Sequence, residues 1–361
     1  MIKCRKHVND IIRNNQDFLT RLDRVRLGMN EYIPSMPKSL FNKIIKGFSA
    51  EMASAYPEVN RAYNALSQYL NQSSEKLILS NGADGAMKMI LETFCDPRDV
   101  ISTIAPTFEM YKIHSQELNC ELVEINCNSN GKCSNDVLLR LISPEVKVAL
   151  IANPNGATGH IFTIDRLREL IKKAERSDIL VIIDEVYADF GKIDASPLVD
   201  EFSNVVIIRS FSKSVGMAGL RVGYILTTER LVKMIEKFKP FREITSLATR
   251  AVEVVCSDRK YMENSVKKII NSRKKFTNNL KGLGFDVIEG GGNFVLVDFG
   301  VHRKSVIKNL LNNNVEFKET PDPLTRYIRL TVGLSSTMNQ VVGIIKAGLD
   351  NGELNQNKMN I

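Results

Sequence analysis

The chain has 361 residues, 43% of them hydrophobic and 25% charged, the make-up of a globular protein with a core large enough to be split between a major and a minor domain. Its formal net charge of +8 is spread along the sequence with no basic run and no nucleic-acid motif, which sets nucleic acid aside and suits anionic small molecules. No apolar run reaches the length of a membrane span, and Met1 to His7 lacks an apolar signal-peptide region, so no membrane association and a cytoplasmic location are expected. Cys4, Cys95, Cys120, Cys127, Cys133 and Cys256 form no C-x-x-C pair, and with four scattered histidines they offer no zinc spacing. Free thiols and no bound metal are the expectation.

Residues 1 to about 27 are polar, with helical spacing at Val8, Ile11, Ile12 and Phe18. Arg26 to Pro37 is punctuated by Pro34 and Pro37 and reads as an extended arm. Ser54 to Glu58 forms a second arm, with Tyr56 either anchoring a turn or reaching outward. Leu77 to Leu91 reads as strand, small-residue turn and helix, with Gly82 in the turn and Asp84 as N-cap. Such a helix start leaves backbone N–H groups free to hold an anion. The runs Val146 to Ala152 and Ile179 to Ile183 are strands. Between them Thr163 caps a helix carrying Ile164, Leu167, Leu170, Ile171 and Ala174 on one stripe, so the unit is βαβ in a parallel sheet.

Val205 to Ile208 is the next buried strand, followed by Ser210, Ser212 and Lys213, a small-residue turn (Gly216, Ala218, Gly219) and Arg221. From about residue 240 the pattern changes to charged helices (Lys267 to Leu280) and shorter strands at Gly290 to Asp298 and Thr325 to Gly333. The implied division is 1–45 as an arm and part of a small domain, 46–240 as a large domain and 241–361 as the small domain. The tail after Asp350 is polar and is expected to fray.

In open parallel sheets, ligands bind beyond the carboxyl ends of the strands. Three successive strands here end in polar residues: Asn153, Asp184 and Ser210 with Lys213. A lysine just past a buried strand is desolvated, which favours the neutral amine and a Schiff base with an aldehyde. Two hydroxyls and an arginine beside it are donors for a phosphate. A phosphorylated aldehyde is the ligand this stretch invites. Asp184 is open to two readings, a helix N-cap or a carboxylate paired with a ring nitrogen.

The pattern S-x-S-K-x-x-x-x-A-G-L-R-x-G over Ser210 to Gly223 resembles the lysine segment of the fold-type-I pyridoxal-phosphate aminotransferases of class I/II, and is most similar to histidinol-phosphate aminotransferase and its relatives. Matching motifs run in the family's order from residue 54 to 333. The resemblance implies a large α/β domain with a mixed, mostly parallel sheet sandwiched by helices, and a smaller α+β domain. It implies pyridoxal 5'-phosphate in Schiff-base linkage to Lys213, with its phosphate on Ala83, Asp84, Ser210, Ser212 and Arg221. Phe108 takes the place of the aromatic that stacks on the ring, Asp184 pairs with the ring nitrogen, and Tyr187 donates to the ring hydroxyl oxygen. Tyr56 matches a tyrosine that reaches the partner's cofactor, so a homodimer with shared active sites is implied.

By the same resemblance Arg329 clamps the substrate carboxylate or its equivalent, and the N-E-containing arm brings Asn30, Glu31 and Tyr32 near the substrate, unless that arm is only a surface strap. Lys318 stands where relatives carry a second arginine. The chain departs from the family's N-P-x-N-P-T-G at Gly156 and Ala157, which removes an asparagine donor, and Asn155 is the nearest residue to replace it. The implied reaction moves an amino group between an amino acid, L-glutamate, and a small phosphorylated or otherwise anionic keto or aldehyde substrate. Two alternatives share the motif set: decarboxylation of a phosphorylated amino acid, as in threonine-phosphate decarboxylase, and a binding protein of this fold without turnover.

Overall fold

Seven strands build the main sheet of the computed structural model, which describes residues 2–13 and 20–359. They are β1 (Leu77–Asn81), β2 (Val100–Ala105), β3 (Glu121–Asn126), β4 (Val146–Ala152), β5 (Leu180–Asp184), β6 (Val205–Ser210) and β7 (Val222–Thr227). Their order across the sheet is β1-β7-β6-β5-β4-β2-β3. Only β7 runs antiparallel to its neighbours, and the pairs from β6 to β3 are parallel. The strands read as unbroken apolar runs because helices cover both faces. Alternate residues divide between two cores: Ile151, Val181, Ile183, Val205 and Ile207 face one side, and Leu150, Ile182, Val206 and Ile208 the other. That period of two is the pleat itself.

Helix α1 (Gly82–Phe94) covers one face, burying Ala86, Met87, Ile90 and Leu91. Helix α2 (Met110–Glu117) follows β2. Helix α3 (Ile164–Glu175) covers the other face with the expected stripe, Leu167, Leu170, Ile171 and Ala174. Thr163 occupies its N-cap position, although its side chain makes no capping bond. Helix α4 (Ser246–Cys256), capped by Thr245, lies beyond the expected boundary at 240 yet buries Ala248, Ala251, Val252 and Val255 in the same core. Helix α5 (Arg259–Gly282), capped by Asp258, then carries the chain to a separate core through Ile269, Phe276 and Leu280. Met262, near the start of α5, still packs in the first core, so the change of core falls within α5.

The second core lies on an antiparallel sheet of β8 (Asp286–Glu289), β9 (Phe294–Asp298), β10 (Lys318–Glu319) and β11 (Tyr327–Thr331), in the order β10-β11-β9-β8. Helices α6 (Arg303–Asn312) and α7 (Ser335–Met359) pack together beside it. The N-terminal arm joins this unit: Val25–Arg26 pairs with Val315–Glu316, and Leu27 and Tyr32 are in its core. Helix α7 continues through residues 351–359 of the polar tail that was expected to fray.

Two expectations are overturned. The amino-terminal helix is only a 3-10 turn, Lys6–Asp10, because Val8 and Ile12 stay exposed and no apolar face is buried; Phe18 lies outside the described residues. Cys127 and Cys133 are not free thiols but are joined, with S–S 2.03 Å. The turn between them, closed by Asn128 N–H to the Lys132 carbonyl and by the Asn128 side chain, brings the two together. Among the described residues, no helix is long and apolar enough to cross a membrane.

Gly223 fixes how β7 meets α1. It stands opposite Ser80 and Ser210 in the sheet, and a Cβ there would lie 2.5 Å from the Gly82 carbonyl carbon and 2.7 Å from the Ala83 nitrogen. Backbone cannot yield as a flexible side chain does. Gly223→Ala is expected to destabilise the protein by about 1–3 kcal/mol in urea unfolding; an unchanged midpoint would show that the 82–83 turn moves freely.

Candidate active site

The carboxyl ends of β5 and β6 and the start of α1 converge at the end of the sheet where Gly223 stands. Asp184, the last residue of β5, is 8% exposed. Its Oδ2 accepts from the Tyr111 hydroxyl at 2.6 Å and its Oδ1 from Val186 N–H at 3.1 Å. Burial pushes its pKa up, while Tyr111, Val186 and the charge of Lys213 pull the other way without cancelling the rise. Lys213 sits on the short helix Phe211–Ser214 directly after β6, half-buried, and its Nζ donates to the Met29 carbonyl at 3.0 Å.

The anion-binding end is built on two glycines. Gly82 has φ +72°, and the Arg221 guanidinium lies so close over it that a Cβ would be 2.6 Å from Nη2. Arg221 itself holds φ 54°, a left-handed conformation uncommon for a side-chain-bearing residue. Ser210 Oγ receives the Ser212 N–H at 3.1 Å and lies 3.0 Å from Ser212 Oγ. Ala83 and Asp84 occupy the first turn of α1. Asp84 is not the N-cap, a position held by Asn81; its carboxylate turns instead to His114, 2.9 Å away.

The antiparallel sheet and the arm close the other side. Arg329 of β11 donates through Nη1 to the Gly156 carbonyl at 2.8 Å and through Nη2 to the Gly28 carbonyl at 3.0 Å, and lies 5.5 Å from the centre of the Phe294 ring. Its Nε is buried with no partner, and burial lowers its pKa. Among the described residues no carboxylate forms an ion pair with it. A desolvated cation lacking a counter-ion is an incomplete arrangement that an incoming anion completes. Lys318 is directly opposite Arg329 in the β10–β11 register, which puts both on one face of the sheet, and is exposed. Arg326 points away, pairing with Asp286.

Tyr187 is half-buried, edge-on to Phe294, and its ring leans on Gly156, where a Cβ would be 2.8 Å from Cε2. Its hydroxyl accepts from Asn30 Nδ2 at 3.1 Å. Asn30 is fully buried, and the same amide donates to the Gly156 carbonyl at 3.3 Å and accepts from Thr331 Oγ1 at 3.2 Å. Phe108 is 47% exposed and meets Tyr111 edge-on at 5.9 Å. Tyr56 is 76% exposed, its ring edge-on to Phe241 at 5.4 Å.

Two further residues of the expected set are engaged locally. Asn155 is buried and spends most of its side chain locally: Nδ2 donates one hydrogen to the Pro106 carbonyl, and Oδ1 accepts from Ala157 and Thr158 N–H to shape its own loop. Tyr32 is buried in the small-domain core beside Gly216, with its hydroxyl bonded to Ser265, and so it does not line the substrate space. Sequence reasoning missed Tyr111, the strongest contact to Asp184. It lies three residues past Phe108 in the same motif, so one helical turn puts both rings near the same strand end.

A primary amine, a buried carboxylate, two hydroxyls, an arginine and a free helix start fit a phosphorylated pyridine aldehyde. Glycine at 82 and 223 lets the Arg221 guanidinium and strand β7 close onto the start of α1. A mostly parallel sheet with one antiparallel strand, carrying this lysine and aspartate at its carboxyl edge, defines a fold-type-I pyridoxal-phosphate transaminase. The model of the family aminotransferase class I and II matches residues 23–345. The chain belongs to that family of pyridoxal-phosphate enzymes.

It is 29% identical to histidinol-phosphate aminotransferase 1 of Carboxydothermus hydrogenoformans over 88% of this chain and 91% of that one. It is 32% identical to histidinol-phosphate aminotransferase 1 of Trichormus variabilis over 77% of each. Its fold is similar to that of the Sinorhizobium meliloti histidinol-phosphate aminotransferase, solved in complex with pyridoxal-5'-phosphate, with a TM-score of 0.85 at 21% identity over 96% of this chain and 98% of that one.

Tyr111→Phe removes a charge-assisted bond of about 1.5–3 kcal/mol from a buried carboxylate. Because the folded pKa of Asp184 is raised, the folded state binds the extra proton, and this group's contribution to stability falls as pH rises above the unfolded value. The variant without cofactor is expected to be less stable than the parent at neutral pH, with the gap narrowing on acidification. Urea midpoints across pH check this; a gap that stays constant with pH counts against it.

Proposed function

We propose that the protein moves an amino group between L-glutamate and a small phosphorylated keto or aldehyde compound, as a histidinol-phosphate-aminotransferase-like enzyme. The observation that carries this reading is Arg329: a guanidinium with its Nε buried, anchored by two backbone carbonyls and lacking a carboxylate partner, next to the Lys213–Asp184 pair. A planar fork held this way suits a carboxylate. Lys318, on the same face and open to solvent, suits the phosphate of the other substrate.

Lys213, Asp184, Tyr187, Phe108, Ser210, Ser212, Arg221 and the first turn of α1 at Ala83 and Asp84 would hold pyridoxal phosphate. When bound, that cofactor supplies an electron-withdrawing ring that stabilises negative charge at the substrate Cα. Asp184, oriented by hydrogen bonds from Tyr111 and Val186, would pair with the cofactor's ring nitrogen and favour its protonated form. Lys213 Nζ takes the proton from the substrate Cα and delivers it to the acceptor carbon, as a general base and then a general acid. The Met29 carbonyl orients that amine by accepting one of its hydrogens. Tyr187, receiving a hydrogen bond from Asn30, keeps its own proton available to donate.

A homodimer is part of the same proposal. Tyr56 and Phe241, 76% and 73% exposed, form an edge-on pair at the surface, the kind of aromatic contact a second subunit covers.

With L-glutamate the purified holoenzyme is expected to convert its bound cofactor spectrally to the amine form, and Lys213→Ala is expected to lose turnover. Arg329→Lys keeps the charge and loses the fork, so kcat/KM for glutamate should fall by roughly two orders of magnitude. Release of carbon dioxide without a lasting amine form, or an Arg329→Lys enzyme as active as the parent, would overturn the assignment.

A further inference from the structure

One buried ionisable cluster lies behind the phosphate end of the site, and none of the steps above uses it. His114 on α2 has a side chain only 5% exposed and sits between two carboxylates. Its Nε2 is 2.9 Å from Asp84 Oδ1, and its Nδ1 is 3.0 Å from Glu117 Oε2. An imidazole donates from both nitrogens only as the cation. Burial works against that charge, the two carboxylates outweigh it, and the pKa of His114 is raised. Asp84 shows the complement: burial pushes its pKa up, but His114 and Arg221 hold it below the usual range.

The position of Asp84 gives the cluster its meaning. It is the third residue of α1, beside Gly82 and the Arg221 guanidinium, where free backbone N–H groups meet an anion. An unneutralised carboxylate there would repel that anion. Three residues before His114 on α2, Tyr111 holds Asp184. Residues three apart share a helix face, so one face of α2 grips both the carboxylate at the ring end and the carboxylate at the phosphate end.

We propose that His114, as an imidazolium, is a positioning residue for the cofactor phosphate: it draws the Asp84 carboxylate aside and cancels its charge, leaving Arg221 and the start of α1 to the anion. The inference rests on the pyridoxal-phosphate reading of the site. The charged groups around His114 are Asp84 on α1 and Glu117 on its own helix. Behind them stand Arg221, which acts on Asp84, and Arg13, 3.5 Å from Glu117, while His7 lies 3.3 Å from the Glu117 carbonyl. His114 is charged below its raised pKa, so affinity for the phosphorylated cofactor falls as pH rises through that value.

The test uses the full-length protein stripped of cofactor and compares binding of pyridoxal phosphate with binding of pyridoxal, which lacks the phosphate. Equilibrium dialysis and visible absorbance give both constants from about pH 7.5 to about pH 9.5, where the phosphate is almost wholly a dianion. The ratio of the two affinities removes effects common to the amine and the ring. In the parent this ratio is expected to drop roughly three- to tenfold across the range. In His114→Gln, which keeps a donor toward Asp84 but never charges, it should be low and flat. In Glu117→Gln, which leaves the Asp84 contact and weakens the cation, the drop should move to lower pH. Parallel profiles in parent and His114→Gln, or an unshifted Glu117→Gln, overturn the proposal while leaving the cofactor reading intact. A parent that binds no pyridoxal phosphate at any pH removes that reading as well.

Discussion

A carboxylate at the end of β5 is kept out of water, and much of the site is arranged to make that tolerable. Burying an anion without donors is costly, and Asp184 has two, from Tyr111 and from the backbone of Val186, with Lys213 close enough to lower its pKa. Tyr111 can reach it because α2 leaves β2 at the edge of the sheet and turns its apolar face inward, burying Tyr111 and Ile113. Glu185, the next residue, is buried as well and is met by Arg209 from β6 and by Ala195 N–H. Consecutive acidic residues are thus satisfied in opposite directions, which holds the strand end firmly.

The arm completes what the sheet begins. Backbone carbonyls at Gly28 and Met29 receive Arg329 and Lys213, and Asn30 ties Tyr187 to Thr331. Glu31 anchors the same segment through Arg21 and Arg26, and Arg21 continues the network to Glu316. Two arginines outweigh the burial of Glu31 and hold its pKa down. One short stretch therefore connects a lysine beside the main sheet with an arginine of the antiparallel sheet.

Much of this was legible in the residues. Strand runs from β4 to β6, the α3 stripe, and the gathering of Asp184, Lys213, Ser210 and Arg221 at one sheet edge all follow from periodicity and motif order. The partners of Asn155 and Tyr32 were not legible: a polar side chain in a motif looks available until its neighbours are known, and the Asn155 side-chain oxygen is spent within its own loop while its nitrogen reaches Pro106. The Cys127–Cys133 link depends on a turn whose closure by the Asn128 side chain has no sequence periodicity. His114 was invisible because its two carboxylates come from different helices.

Gly156 joins three parts of the chain. The ring of Tyr187 occupies the volume that any side chain at 156 would need, and the carbonyl of Gly156 is shared by Asn30 and Arg329. A side chain at 156 would meet the tyrosine ring before it could donate to anything. Moving that ring aside would also move the hydroxyl that Asn30 holds, so a change at this one position is felt in the arm and at the arginine together.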